Sequence, residues 1–248
     1  MLKDKKVAFC FRGAMDKIKS GHYSRSHCDI YKDLPYVPFE LVKVSIQKHI
    51  IDANPDYEFD FFIHSWNSDL ESKFTELYNP KASCYENNSV YEEDIKKNIV
   101  HNFAYTSQQL SICKSIEIME NYSIKNNIVY DYIISYRPDA LLYKDMILEK
   151  YNIDNVYVNS NVYEDFHFVM GYNDSLLFKQ LYGKKMLFQN FVNRVMKKTL
   201  LADDIKCGLN QEILRKIKIS VVDKGYHNNE FFYKYGLCDD LIQYLTHI

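Results

Sequence analysis

Apolar residues along this chain fall into two patterns. In one they run continuously for a few positions; in the other they recur every three or four. Val7-Ala8-Phe9-Cys10-Phe11 is the first continuous run, led by Lys5-Lys6 and stopped by Arg12-Gly13. Such a run fits a strand buried on both faces of a parallel sheet, with a loop leaving its carboxyl end. Phe39 to Ala53 follows the helical period through Leu41, Val42, Val44, Ile46, Ile50 and Ile51, and Asn54-Pro55-Asp56 ends it. A second run, Phe59 to Ile63, apolar but for Asp60, reads as another buried strand and finishes in His64 and Asn67. Residues 92–126 are again helical in period, with Tyr105, Leu110, Ile112, Cys113, Ile116, Met119 and Tyr122 on the apolar face. Thr106 or Ser107 suits a cap for the second half of that helix, and Asn126-Asn127 closes it. Tyr132 to Tyr136 is then a third buried strand, aromatic and β-branched.

Strand–helix–strand–helix–strand predicts an α/β fold with a mainly parallel sheet and right-handed crossovers. The rest of the chain is less regular. Residues 14–38 are polar and weakly periodic, and read as a long loop. Cys84 to Ser89 reads as a short strand or loop, and Asn155 to Val158 and Asp165 to Gly171 as strands. Asp174 or Ser175 is placed to cap a helix through Leu176, Leu177 and Leu181; Leu187 to Met196 forms another. Asn210 to Ile217 suits a short helix, and Ile219 to Val222 a late strand before a polar tail. No repeat or linker divides the chain, so one domain over residues 1–248 is expected.

Composition narrows the function. Hydrophobic residues make up 47%, which excludes a disordered chain, and a net charge of −2 gives no global attraction to nucleic acid. No apolar run approaches the roughly 18 residues that a membrane span needs. The six cysteines include no C-x-x-C pair, which argues against a zinc site. With no signal peptide in the sequence, they read as reduced thiols in a cytoplasmic protein. Lys184, Lys185, Arg194, Lys197 and Lys198 surround the Leu187–Met196 helix. Charges of this kind either solvate a helix face or touch a membrane surface or an anionic acceptor.

The chemistry gathers at predicted strand ends. Arg137-Pro138-Asp139 follows directly on Tyr132–Tyr136. Proline stops the ladder there and restrains Arg137 to extended geometry, so a base and an acid are delivered together. That edge of an open α/β sheet is where ligands bind. An isolated pair of this kind would read as a surface ion pair in a turn. Asp165, His64, His167 and His227 are further acids and histidines at predicted strand ends or beyond them. Hard oxygen ligands of this type suit Mg2+ or Mn2+ on a diphosphate. No G-x-x-x-x-G-K, G-x-G-x-x-G, G-x-S-x-G or H-E-x-x-H motif is present.

Four segments in order then carry a resemblance: Phe11-Arg12-Gly13; Asp60 to Trp66; Ser107 to Met119 running into Tyr130 to Asp139; and Glu164 to Gly171, followed by Glu212. In this arrangement the chain resembles the GT-A-type glycosyltransferases of bacterial and viral surface polysaccharide synthesis. The resemblance implies a GT-A-like, Rossmann-like domain, a nucleotide-diphosphate sugar donor and a glycan or lipid-linked acceptor. The cysteine reading and the basic helix together lead us to expect a cytoplasmic protein, with peripheral contact at the membrane surface as an option. Phe11, Arg12, Gly13, His64 and Arg137 would line the donor, with His64 and Trp66 either structural or part of the sugar-pocket wall, and core packing the better reading for Trp66. Asp139 would match the last acid of the family's D-x-D metal motif, whose first acid is here Arg137, so Arg137 could bind diphosphate directly. His227 would match a late ligand to Mn2+ or Mg2+, or be a solvated tail histidine. Asp165 matches an acid near the acceptor, or is a turn aspartate; Glu212 is the alternative base. A nucleotidyltransferase or phosphotransferase, or a non-catalytic binding module of the same fold, also fits these residues.

Overall fold

The computed structural model describes residues 5–15, 39–142, 144–158 and 167–198, and the backbone of 208–210. Strand β1 (Lys5–Gly13) is the middle of the structure. It is buried from Val7 onward, which is why its sequence is continuously apolar rather than alternating. Helix α1 (Phe39–Ile46), prolonged by a π turn (Gln47–Ile51), leads to β2 (Tyr57–Ser65). Helix α2 (Glu71–Tyr78) leads to β3 (Ala82–Tyr85), the edge strand. Helices α3 (Glu92–Lys97) and α4 (Phe103–Asn126) then carry the chain back across the sheet to β4 (Tyr132–Tyr136) on the other side of β1. β5 (Ala140–Leu142), β6 (Tyr157–Val158), β7 (His167–Met170), α5 (Tyr172–Phe178), α6 (Phe188–Arg194) and β8 (Gly208–Asn210) follow.

The main sheet has six strands in the order β3-β2-β1-β4-β7-β6. β1 is parallel to both β2 and β4, and β2 to β3; β7 is antiparallel to β4 and to β6. The expected α/β architecture, Rossmann-like with a mainly parallel central sheet flanked by helices, is therefore present. Val7, Phe9 and Phe11 point to one face, where they meet Val42 and Ile46 of α1 and Phe74 and Tyr78 of α2. Ala8, Cys10 and Phe62 point to the other, against Ile112, Ile116 and Met119 of α4 and Phe178 and Phe191. β5 pairs with β8 in a separate two-stranded sheet and packs on α1. Ser45 holds that contact like a one-residue strand: its Oγ accepts from Leu142 N (2.8 Å) and donates to Leu142 O (3.2 Å).

Several elements differ from the sequence pattern. The helix expected over residues 92–126 breaks at 98–102. Asn98 Nδ2 bonds Asp94 O (2.8 Å) and Oδ1 (3.2 Å), an alternative to the helical ladder, and Asn102 caps α4 by accepting from Tyr105 N (2.8 Å). Thr106 is not the cap; its hydroxyl donates back to Asn102 O (2.9 Å). Asp174 and Ser175 lie inside α5, which begins at Tyr172 after Gly171. A Cβ on Gly171 would sit 2.7 Å from Ile153 O, so close backbone approach requires glycine there. Asn210 ends β8 rather than opening a helix. The loop over residues 16–38, most of the Asn210–Ile217 helix and the Ile219–Val222 strand lie outside the described residues.

Asn54 ties the end of the π turn to the segment after β5. Its Nδ2 donates to Ile50 O and Met146 O (both 2.6 Å), and its Oδ1 accepts from Leu148 N (2.7 Å). All of this is buried. Asn54→Ala would take this side-chain partner from three interior backbone groups, at a cost on the order of 3 kcal/mol. We expect a lower urea midpoint with an unchanged m-value.

Candidate active site

The chain runs outward from β1 to β2 to β3 and then returns to β4 on the opposite side of β1. The strand order thus reverses between β1 and β4, and a crevice opens at the carboxyl ends of the strands at such a point. Phe11 is paired with Tyr136, so Arg12 and Arg137 each follow directly on a paired residue at adjacent strand ends. Arg12 also pairs with His64 in register, and Gly13 with Ser65. β7 runs the other way and starts at this same edge, with His167 opposite Tyr136.

Two networks hold the edge. The first surrounds Gly13, whose φ of +96° is costly for any residue with a side chain. Gly13 N donates to Ser111 Oγ (2.7 Å), and Gly13 O accepts from Trp66 N (3.3 Å). Ser111 Oγ lies 2.6 Å from His64 Nδ1, and His64 Nε2 lies 3.0 Å from Glu86 Oε1. The Glu86 carboxylate can only accept, so it takes the Nε2 proton of the neutral imidazole; Nδ1 then accepts the Ser111 proton, while Ser111 Oγ accepts from Gly13 N. Glu86 also takes Lys114 Nζ (2.8 Å) and Tyr91 OH (2.7 Å). Burial lowers the His64 pKa despite the opposing pull of Glu86. The hydrogen bond from His64, then those from Lys114 and Tyr91, hold Glu86 down at about 2.

The second network lies at β1, β4 and β7. Arg12 is wholly buried; its Nε donates to Ser135 Oγ (3.1 Å), and its guanidinium carbon sits 4.8 Å from the Phe168 ring centroid. His167 stacks on Tyr136 (6.2 Å, 21°). Burial, with a smaller contribution from the Arg12 charge, lowers its pKa to about 3. Arg137 and Asp139 make a fork-on-fork pair, Nε to Oδ1 at 2.8 Å and Nη2 to Oδ2 at 2.6 Å, with Asp139 only 8% exposed. The turn between them is closed by Ala140 N on Arg137 O (3.2 Å) and by Tyr136 OH on Ala140 O (3.0 Å).

Arg12, Gly13, His64, Arg137 and Asp139 therefore share one sheet edge. The Phe11 ring instead sits in the aromatic core against Phe9, Tyr78 and Tyr136, and only its backbone approaches the edge. Asp165, Glu212 and His227 lie outside the described residues. Among the described residues no three His, Cys, Asp or Glu side chains are placed to hold a metal ion, and both Asp139 oxygens face Arg137. Sequence reasoning gave no role to Ser111, Ser135 or Glu86. A signal for Ser111 exists: Ser107, Ser111 and Ser115 recur every four residues on the buried face of α4.

No protein-family model matches the chain, and no curated protein matches it in sequence. Among solved structures, the crystal structure of mouse xyloside xylosyltransferase 1 in its apo form is similar over 95% of this chain and 94% of that one, at 10% identity and a TM-score of 0.34. A likeness this loose carries no argument about the site.

The buried histidines set an acid limit on the fold. An unfolded His167 takes up a proton near its ordinary 6.5, whereas the folded one resists until about 3. Stability is thus complete above pH 6.5 and falls as pH drops toward 3, by about 1.4 kcal/mol per pH unit. Glu86 adds to the loss only below its ordinary 4.5. Chemical denaturation at several pH values between 6.5 and 4.5 should show a shallower slope for His167→Gln than for the unaltered protein. Equal slopes would mean that His167 is not held neutral.

Proposed function

We propose that this chain is a glycosyltransferase that moves a sugar from a nucleoside-diphosphate sugar to a glycan or lipid-linked acceptor, as in surface polysaccharide synthesis. The observation that supports it best is the pair of arginines, Arg12 and Arg137, at adjacent strand ends where the strand order reverses. A departing nucleoside diphosphate needs its growing negative charge met by fixed positive groups. Arg137 is the group that meets it. Its planar fork, occupied by the Asp139 carboxylate, has the geometry that a pair of phosphate oxygens also satisfies. Donor binding then exchanges one anion for another on the same guanidinium, and Asp139 is released toward the sugar. Arg12 is a positioning residue, buried beneath the exchange and bonded to Ser135 of the neighbouring strand.

Donor screening with calorimetry and product analysis tests this reading. Release of a nucleoside diphosphate supports it, whereas release of pyrophosphate would indicate nucleotidyl transfer. Binding without turnover would indicate a non-catalytic module. Arg137→Gln removes the fork and should weaken nucleoside-diphosphate binding on the order of tenfold to a hundredfold. Asp139→Asn keeps the shape but not the charge. It should lower transfer by roughly a hundredfold in a protein that still unfolds cooperatively. Full transfer by a well-folded Asp139→Asn protein would remove this carboxylate from the reaction.

A further inference from the structure

The chain is nearly neutral overall, yet no Asp or Glu occurs between Asp174 and Asp203, a stretch that holds Lys179, Lys184, Lys185, Arg194, Lys197 and Lys198. Two of these cations are neutralised: Lys179 pairs with Glu120, and Lys198 with Asp174 at 3.2 Å. Lys184 and Lys185 lie exposed in the turn between α5 and α6. Lys185 Nζ donates to Lys97 O at 3.1 Å, which brings the exposed end of α3 beside that turn.

Apolar groups sit among these charges. Ile99 is 48% exposed, and Met186 and Leu187 are half-buried. Gln109 Nε2 donates to Met186 O (3.0 Å) and Phe188 N to Tyr105 OH (2.8 Å), so the turn packs on the first part of α4. The acids of α3 are already engaged. Asp94 accepts from Tyr182 OH (2.6 Å), and Glu92 and Glu93 face Lys96 (2.7 and 3.4 Å).

The position of this surface also matters. α4 runs antiparallel to β1, with Ser111 level with Gly13 at the carboxyl edge. Its start at Phe103 therefore reaches about 12 Å beyond that edge. The cationic, partly apolar surface lies on the same side of the sheet as the candidate active site.

We propose that the surface of Lys97, Ile99, Lys184, Lys185, Met186 and Leu187 docks on an anionic lipid bilayer. Lysines around exposed apolar groups match such an interface, with the ammonium groups among headgroups and the apolar groups at the acyl boundary. Docking in this way turns the sheet edge toward the bilayer, where a lipid-linked acceptor would be presented. The docking itself does not rest on glycosyl transfer.

Sedimentation with mixed phosphatidylcholine–phosphatidylserine vesicles, against pure phosphatidylcholine, tests the proposal. The unaltered protein should bind the mixed vesicles alone and release as salt is raised. Each lysine contributes roughly fivefold, so the Lys97→Gln, Lys184→Gln, Lys185→Gln triple variant should bind about a hundredfold more weakly. These side chains are exposed, so its melting temperature and its hydrolysis of a nucleotide sugar in solution should not change. A failure of the transferase reading leaves the vesicle result untouched. Equal binding by the two proteins overturns docking, as does binding to an acidic polysaccharide but not to vesicles. Self-association through these lysines without vesicle binding overturns it as well.

Discussion

A guanidinium with no exposed surface must find its partners inside the protein, because an uncompensated buried charge costs several kcal/mol or more. Arg12 imposes that condition on the centre of this fold. It lies one residue from the end of the central strand, and its side chain points into the face covered by α4. β4 answers with the Ser135 hydroxyl and β7 with the Phe168 ring. Three strands are thereby locked at one end by a single side chain. The neighbouring His167 must then stay neutral beside that charge, which couples the integrity of this edge to pH.

The Gly13 network does similar work on the other flank. A backbone N–H, a serine, a histidine and a glutamate form a line from the interior to the partly exposed Lys114 and Tyr91. Ser111 and His64 each accept from one neighbour and donate to the next, so the line has one polarity. It fixes the path of the chain as it leaves β1. The candidate site is therefore framed by two interior networks that share β1, while the Arg137–Asp139 pair closes it from the adjacent strand.

Much of the fold was legible because the central strands β1, β2 and β4 are largely buried and announce this as apolar runs, broken only by Asp60 in β2 and Ser135 in β4. The sheet edge that carries the site followed from the polar residues that stop those runs, namely Arg12, His64 and Arg137. The break at Asn98 was not legible, since the apolar period continues across it and only side-chain competition for the backbone ends the helix. The antiparallel course of β7 was not legible either, because a short apolar strand carries no mark of direction. The partners were the hardest part. Ser111 meets Gly13 across 98 residues and Ser135 meets Arg12 across 123. The Arg137–Asp139 pair, two residues apart, was the exception, and the sequence already allowed for it.

The edge strand β3 has a further consequence. It is four residues long, and its backbone neighbours Lys81 and Glu86 turn their N–H groups inward to Phe61 O (2.8 Å) and Ser65 O (2.9 Å). A second molecule therefore meets only a short length of open ladder along this side. A chain this rich in β-branched and aromatic strands would otherwise be at risk of joining sheet to sheet when concentrated. Along the β3 edge, crowding must instead bring molecules together through side chains, whose contacts salt and point substitution can undo.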